Sequence, residues 1–417
     1  MVGQAAQNDP DKARKLLLTG YRLQEMRLRL FPDKKLPPSG QYAARVVMRT
    51  IIQALARPED AALVSIFVPG ELLTAAGITP YSVEALSCFL AGTQCEQAFL
   101  AQTEAAGFPE TLCSYHRIFL GAALAELVPK PKCTIYTNLA CDGNLMTFPY
   151  LKQKYQIPGF YLEVPYEKTR DSVQHVAGQL RELKKFLEDV NGKTISEQAL
   201  QQAVANSKEA ASHYNRQLAL RKEHDPASTL TNELYAVFLC HLLAGSPESL
   251  RYTKLLLDDV RNAPKADGPR ILWMHMLPFL QAPVKDLFNY SAALHIGACD
   301  FVADGFQPMR SSDPYEALAE KMVHCIYNGS VTQRLQRSQA LAKQIDADGG
   351  ILFAHWGCKN TLGASGLLKA SLETAGLPTM ILDGDGCNPA NTSDGQVSTR
   401  LQAYLEMLKE SGAKARV

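Results

Sequence analysis

The sequence predicts an α/β fold: two Rossmann-like parallel-sheet domains facing a cleft, with N-terminal helices and a helical middle segment. Three observations carry that expectation. Short, continuous apolar runs alternate with helical stretches in two separate parts of the chain, the pattern of strands buried on both faces of a parallel sheet. Between those parts the periodicity is helical only. The 417 residues also exceed what one core usually organises, at about 100 to 200 residues per domain.

Each element follows in order. Residues 11–31, DKARKLLLTGYRLQEMRLRLF, place Leu16, Leu17, Leu23, Met26 and Leu30 at helical spacing, and PDKKLPPSG breaks that helix. A second helix over Tyr42 to Ala56 completes an N-terminal arm, residues 1–60. AALVSIFVP, CTIYTNLA and GFYLEVP then read as strands of a first α/β domain, residues 61–165. Residues 166–268 carry four or five helices, including VQHVAGQLRELKKFLEDV and TNELYAVFLCHLLAG, and end in the linker PKADGP. RILWMHM, ALHIGACDFVAD, GGILFAHW and PTMILDGD restore the alternation in a second α/β domain, residues 269–417.

Composition narrows the function. Hydrophobic residues at 46% and charged residues at 20% describe a globular chain, and a net charge of +1 supplies no basic surface for nucleic acid or an anionic membrane. Small-molecule ligands remain open. MVGQAAQNDPDKARK has no apolar signal region, and no run approaches the roughly 18 apolar residues of a membrane span, so a cytoplasmic protein is expected.

Ten cysteines then become the informative feature, because a reducing compartment keeps thiols from forming structural disulfides. Cys141, Cys358 and Cys387 follow apolar strand runs, where ligands of an open parallel sheet sit. Cys113 opens a helix, whose amide groups favour a thiolate. Cys113 precedes Cys141 by 28 positions and Cys358 precedes Cys387 by 29, while Cys95 lies 31 after Val64 and Cys299 lies 28 after Ile271. These echoes suggest a duplicated fold. Cys240, Cys325 and Cys133 read as packing residues, and Cys88 shares a helix face with Cys95.

A nucleophilic cysteine would take His355 or His116 as its base, but one nucleophile leaves the other strand-end thiols unexplained. Zinc usually asks for close pairs such as CxxC, and none occurs. Iron and sulfide held by widely separated cysteines fit better. There is no GxxxxGK[ST], GDGCNP lacks the third glycine of a dinucleotide fingerprint, and GASG is not a nucleophile elbow. Any energy or electrons needed would come from another protein.

FPETLCSYHR, NLACD, FAHWGCKNTLGAS and MILDGDGCN followed by DGQVSTRLQAYLEML resemble the 2-hydroxyacyl-CoA dehydratase and benzoyl-CoA reductase superfamily, and more narrowly its double-cubane cluster protein branch. The similarity runs from about Ala61 to the C-terminus. It implies an oxygen-sensitive iron-sulfur protein in which Cys113, Cys141 and Cys358 match the three cysteines that hold one [4Fe-4S] cubane. In the double-cubane branch two cubanes share a bridging sulfide as an [8Fe-9S] centre held by six thiolates. Cys95, Cys387 and Cys299 complete that set, with Cys88 as the substitute for Cys299.

The resemblance also implies a separate ATP-hydrolysing activator with its own [4Fe-4S] cluster, feeding low-potential electrons to this chain as a homodimeric, electron-accepting reductase of a small-molecule substrate. The alternative is a 2-hydroxyacyl-CoA dehydratase subunit with a single [4Fe-4S] cluster, and a third class is a non-catalytic cluster carrier. Glu71, after the first strand, reads equally as a proton donor facing the cleft and as a helix-starting carboxylate. His116, His355 and Lys359 are candidates for hydrogen bonds to cluster sulfides, against packing or surface roles. Asp383 and Asp385 are candidates to orient the loop bearing Cys387, and Arg400 to anchor the last helix through a salt bridge.

Overall fold

The structure is a computed structural model that describes residues 9–265, 268–291 and 294–415. Residues 266 and 267 of the expected linker, and the first residue of the ALHIGACDFVAD run, lie outside them. Two four-stranded, all-parallel sheets form the framework. In the first, β1 (Ala61–Val64), β2 (Thr79–Ser82), β3 (Cys133–Thr137) and β4 (Gly159–Leu162) lie in the order β2-β1-β3-β4. In the second, β5 (Arg270–Met274), β6 (His295–Cys299), β7 (Gly349–His355) and β8 (Thr379–Gly384) lie in the order β6-β5-β7-β8. The two orders are the same pattern.

β1 and β7 are buried at every residue, as continuous apolar runs covered by helices on both faces must be. β2 is the strand the apolar runs did not announce: TPYS is four residues long, has a proline at its second position, and pairs only along β1. An edge strand tolerates that missing amide donor. The ALHIGACDFVAD run is divided, its second half forming the helix Asp300–Gly305.

The shared strand order corrects the register of the cysteine echo. Cys141 follows β3 and Cys358 follows β7, so these two are topological counterparts, whereas Cys387 follows β8, the counterpart of β4. The near-equal 28- and 29-residue spacings therefore pair positions that are not equivalent. Cys299 closes β6, the counterpart of β2, while Cys95 lies beyond the helix Val83–Gly92 that follows β2.

Four helices fill the middle segment: Arg170–Asn191, Glu197–Leu220, Leu230–His241 and Pro247–Asn262. Thr169, Ser196, Thr229 and Ser246 each cap the following helix by accepting an amide N–H three residues on, which satisfies one of the donors a helix start leaves free. The arm helix Pro38–Ala56 is tied to this segment through the Ser39 amide, which donates to Asp259 Oδ2 at 2.7 Å. The segment also bridges the two sheets: Ser207 and Lys321 meet at Glu71, with Ser207 Oγ at 2.8 Å and Lys321 Nζ at 3.3 Å. Among the described residues no helix is long and apolar enough to cross a membrane.

Candidate functional site

In both sheets the strand order reverses between the second and third positions, at β1/β3 and at β5/β7. Loops leaving the carboxyl ends of such neighbours diverge and open a crevice. Cys141 leaves β3, Cys358 leaves β7 and His275 leaves β5, so the crevices of both sheets contribute to one cavity of about 550 Å³. Cys113, from the start of the helix Ser114–Leu124, joins them.

Each of these three thiols faces a buried imidazole. Cys113 Sγ lies 3.1 Å from His355 Nε2, Cys141 Sγ lies 3.3 Å from His116 Nε2, and Cys358 Sγ lies 3.6 Å from His275 Nε2. The His355 tautomer is fixed: its Nδ1 accepts the Gly386 amide at 3.0 Å, so Nε2 carries the hydrogen and donates to Cys113. His116 Nδ1 lies 2.9 Å from the buried Thr147 hydroxyl, which holds the ring on Cys141. Burial keeps all three rings neutral; it pulls His116 down to about 4, lowers His355 and takes His275 well below the usual range.

The thiols respond to the same environment. Burial, reinforced by Cys141 and Cys358, pushes the Cys113 thiol well up, and burial with Cys358 raises Cys141. Thiolates here thus require a compensating positive charge. All ten cysteines are free. Among the described residues no three His, Cys, Asp or Glu side chains close on a point as ligands of one metal ion do; the three thiols line a cavity instead.

One backbone feature brings the domains to contact. Gly357 has φ +80°, and a Cβ there would sit 2.7 Å from Cys113 Cα and 2.8 Å from its amide nitrogen. Only glycine permits both the left-handed turn and that approach. Asp385 holds the neighbouring loop by accepting the amides of Cys387 at 3.0 Å and Asn388 at 2.9 Å, the loop-orienting role expected of it. Asp383 does not share this role; it pairs with Arg400 at 3.0 Å on the surface, where that arginine anchors the last helix.

The other expected residues divide into groups. Cys387 is fully buried, donates to or accepts from Cys88, and is close enough to Cys113 to feel its charge. Cys95, at the turn before the helix Glu96–Ala105, has its Sγ 3.5 Å from the Thr93 carbonyl and lies beside Tyr21. Tyr21 and Cys88 both line an apolar cavity of about 510 Å³ where the N-terminal arm, the first domain and the helical segment meet. Cys299 does not line the three-thiol cavity but adjoins it from behind: its Sγ lies 3.6 Å from the His275 carbonyl, and it lines a small pocket with Tyr214 and Arg221. Lys359 lines the three-thiol cavity. Glu71 does not: it is buried in its bonds to Ser207 and Lys321, in a separate pocket.

Two carboxyl side chains do line the cavity: Asp142, beside Cys141, and the buried Glu84, at the start of the helix following β2. Glu84 accepts from Ser82 Oγ at 2.8 Å and the Ile66 amide at 3.3 Å, and burial raises its pKa above the ordinary value. Neither Glu84 nor His275 was expected. The signal for both was their position just beyond a strand.

A sequence model of the family described as 2-hydroxyglutaryl-CoA dehydratase, D-component, matches residues 65–408. The chain belongs to this family. It is 24% identical over 369 residues to the (R)-phenyllactyl-CoA dehydratase alpha subunit of Clostridium sporogenes, covering 82% of this chain and 87% of that one. It is 22% identical over 351 residues to a subunit of the benzoyl-CoA reductase of Thauera aromatica (75% and 81%), and 21% identical over 401 residues to the lactoyl-CoA dehydratase alpha subunit of Anaerotignum propionicum (87% and 94%). Both dehydratases and a reductase thus stand among the relatives of this D-component chain, and the matched segment contains all three thiols and their imidazoles.

Proposed function

We propose that this chain is an iron-sulfur reductase component that accepts low-potential electrons from an ATP-hydrolysing activator protein and reduces a small molecule in the cavity between its two sheets. The observation that carries this reading is the ring of three free thiols from both domains, each within reach of a buried neutral imidazole. Such a donor set suits iron and sulfide, whose thiolate ligands need charge compensation and whose potential is set by N–H groups aimed at sulfur. Bound there, an iron-sulfur cluster supplies one-electron reduction.

Cys113, Cys141 and Cys358 would hold one cubane. For the [8Fe-9S] double cubane, the arrangement favours Cys387, Cys88 and Cys95 as the further thiols, since Cys387 touches Cys88 and lies near Cys113 and Cys95 lies beside Tyr21 of the cavity that Cys88 lines, whereas Cys299 is turned onto the His275 carbonyl behind the three-thiol cavity. His355, its hydrogen fixed on Nε2, donates to Cys113. Glu84, whose pKa burial raises above the usual carboxyl value, is placed to deliver the proton that a reduced substrate must take up. Phe67, Phe301 and Tyr327, which pack against one another at centroid distances of 5.2 to 6.0 Å, exclude water from one wall.

A dehydratase subunit with one [4Fe-4S] cluster is the second reading, favoured by the relatives named as dehydratase alpha subunits and by the three-thiol lining of the cavity. Those names also speak for assembly with a second subunit, where the first reading expects a homodimer. Anaerobic iron and sulfide analysis separates the two: about eight irons per chain supports the double cubane, about four supports the dehydratase arrangement, and none overturns both. Acetylene or hydrazine reduction that requires both activator and ATP would distinguish the reductase from a cluster carrier.

A further inference from the structure

The three imidazoles are not held alike. His355 and His116 are each anchored through the second ring nitrogen, by the Gly386 amide and the Thr147 hydroxyl. His275 Nδ1 is buried without a close hydrogen-bond partner, and the Phe353 carbonyl is the backbone group that acts on the ring, so the far side holds its angle toward Cys358 only weakly. Its own backbone must do the rest, and it is unusual there: His275 has φ +76°, a left-handed conformation that costs a non-glycine residue free energy and persists only where its surroundings impose it.

What imposes it converges on one carboxylate. Asp300 Oδ1 accepts the His275 amide at 2.7 Å and the Tyr327 hydroxyl at 2.9 Å, while Oδ2 accepts Arg334 Nη2 at 3.1 Å and Nε at 3.3 Å. Asp300 and Arg334 are 0% and 1% exposed. The Arg334 guanidinium lies 4.5 Å from the centroid of the Tyr327 ring, and Tyr327 meets the His275 ring edge to face at 6.3 Å. Phe301, the residue after Asp300, covers the other side of the imidazole at 6.0 Å. One buried ion pair therefore fixes both the backbone turn and the aromatic slot of His275.

We infer that Asp300, supported by Arg334 and Tyr327, is a positioning residue that holds His275 Nε2 on Cys358, so that the second domain sets the electronic environment of its one thiol in the cavity through a buried ion pair. A buried pair is weak evidence for stability, since apolar residues often replace one at no loss; fixing a strained turn at a thiol gives this one a purpose. The inference deepens the reading of Cys358 as a cluster ligand and rests on it.

The test begins on the iron-free, reduced full-length chain, with iodoacetamide labelling of each cavity thiol followed by peptide mass spectrometry. Asp300→Asn and the milder Tyr327→Phe are expected to raise labelling of Cys358 several-fold while Cys113 and Cys141 keep their wild-type rates. Asp304→Asn, a buried carboxylate bonded to Cys325 and the Ile326 amide instead, serves as the control for general loosening and should leave that selectivity unchanged. An unchanged Cys358 rate in both test variants, an equal rise at all three thiols, or the same rise in Asp304→Asn would overturn the inference. After loading with iron and sulfide, His275→Gln and Asp300→Asn should both move the midpoint potential negative, and the double variant no further than His275→Gln alone; additive shifts would also overturn it. A chain that takes up no iron defeats the proposed function, and the labelling result still decides the role of Asp300.

Discussion

The two sheets share one strand order, yet they equip the cavity differently. The first domain brings Cys113, Cys141, His116 and the carboxyl group of Glu84; the second brings a single thiol, Cys358, with His275 and His355. Two of the thiol-imidazole contacts stay within a domain, and the third crosses between them, from His355 to Cys113. The lesson is that duplicated topology fixes where groups can be placed, at the strand-order reversal of each sheet, without fixing which chemistry is placed there. The first domain supplies most of the thiols and a buried carboxyl group; the second supplies most of the imidazoles.

The comparison breaks most visibly at the thiols. Cys141→Ser and Cys358→Ser should each cost about four irons per loaded chain although they lie in different domains, while Cys240→Ser, at a buried packing position bonded to the Val237 carbonyl, should leave iron content intact. Iron analysis of the three variants side by side checks this, and unequal losses from the first two would show that one domain holds the metal alone.

Gly357→Ala tests the crossing contact. The left-handed turn and the overlap with the Cys113 backbone together should cost about 3 kcal/mol, read as a lowered denaturation midpoint and a lost His355 to Cys113 contact. Glu84→Gln keeps the acceptor for Ser82 and Ile66 but removes the ionisable carboxyl group; turnover should fall about a hundredfold with iron content unchanged. The same change at Glu71 should alter stability and leave the chemistry alone, which sharpens the division between the two carboxylates.

The smallest effect is a pH dependence outside the cavity. His241, in the helical segment that bridges the sheets, is pushed down to about 3 by burial and then by Lys321, against about 6.5 in an unfolded chain. Its folded pKa is depressed, so the unfolded state binds the extra proton; stability is complete above pH 6.5 and falls as the pH drops toward 3, at up to roughly 1.4 kcal/mol per pH unit. Urea melts at pH 7 and pH 5 should show that slope, reduced in His241→Gln.

How far the sequence announced this site follows from burial. Strands such as AALV and GGILFAH read plainly because both of their faces are covered, and the thiols at the ends of β3 and β7 followed from them. β2 is short, proline-containing and marginal, so it did not read as a strand; Glu84 just beyond it was then not recognisable as a strand-end residue, and Glu71, after the legible β1, drew the expectation instead. His275 was hidden inside RILWMHM, where the strand stops at Met274 and the chain turns at the histidine itself. The Cys113 to Cys358 echo failed for a related reason: linear spacing cannot distinguish a helix start from a strand end.

Gly357 carries one further consequence. Because the second sheet's loop rests against the backbone of Cys113, whatever Cys113, Cys141 and Cys358 hold in common is gripped from both domains at once. It would act as a clasp made of inorganic atoms, and the affinity of the chain for that clasp and the affinity of the two domains for each other would be one thermodynamic quantity. Stripping the metal and prising the domains apart would then be the same experiment approached from opposite ends.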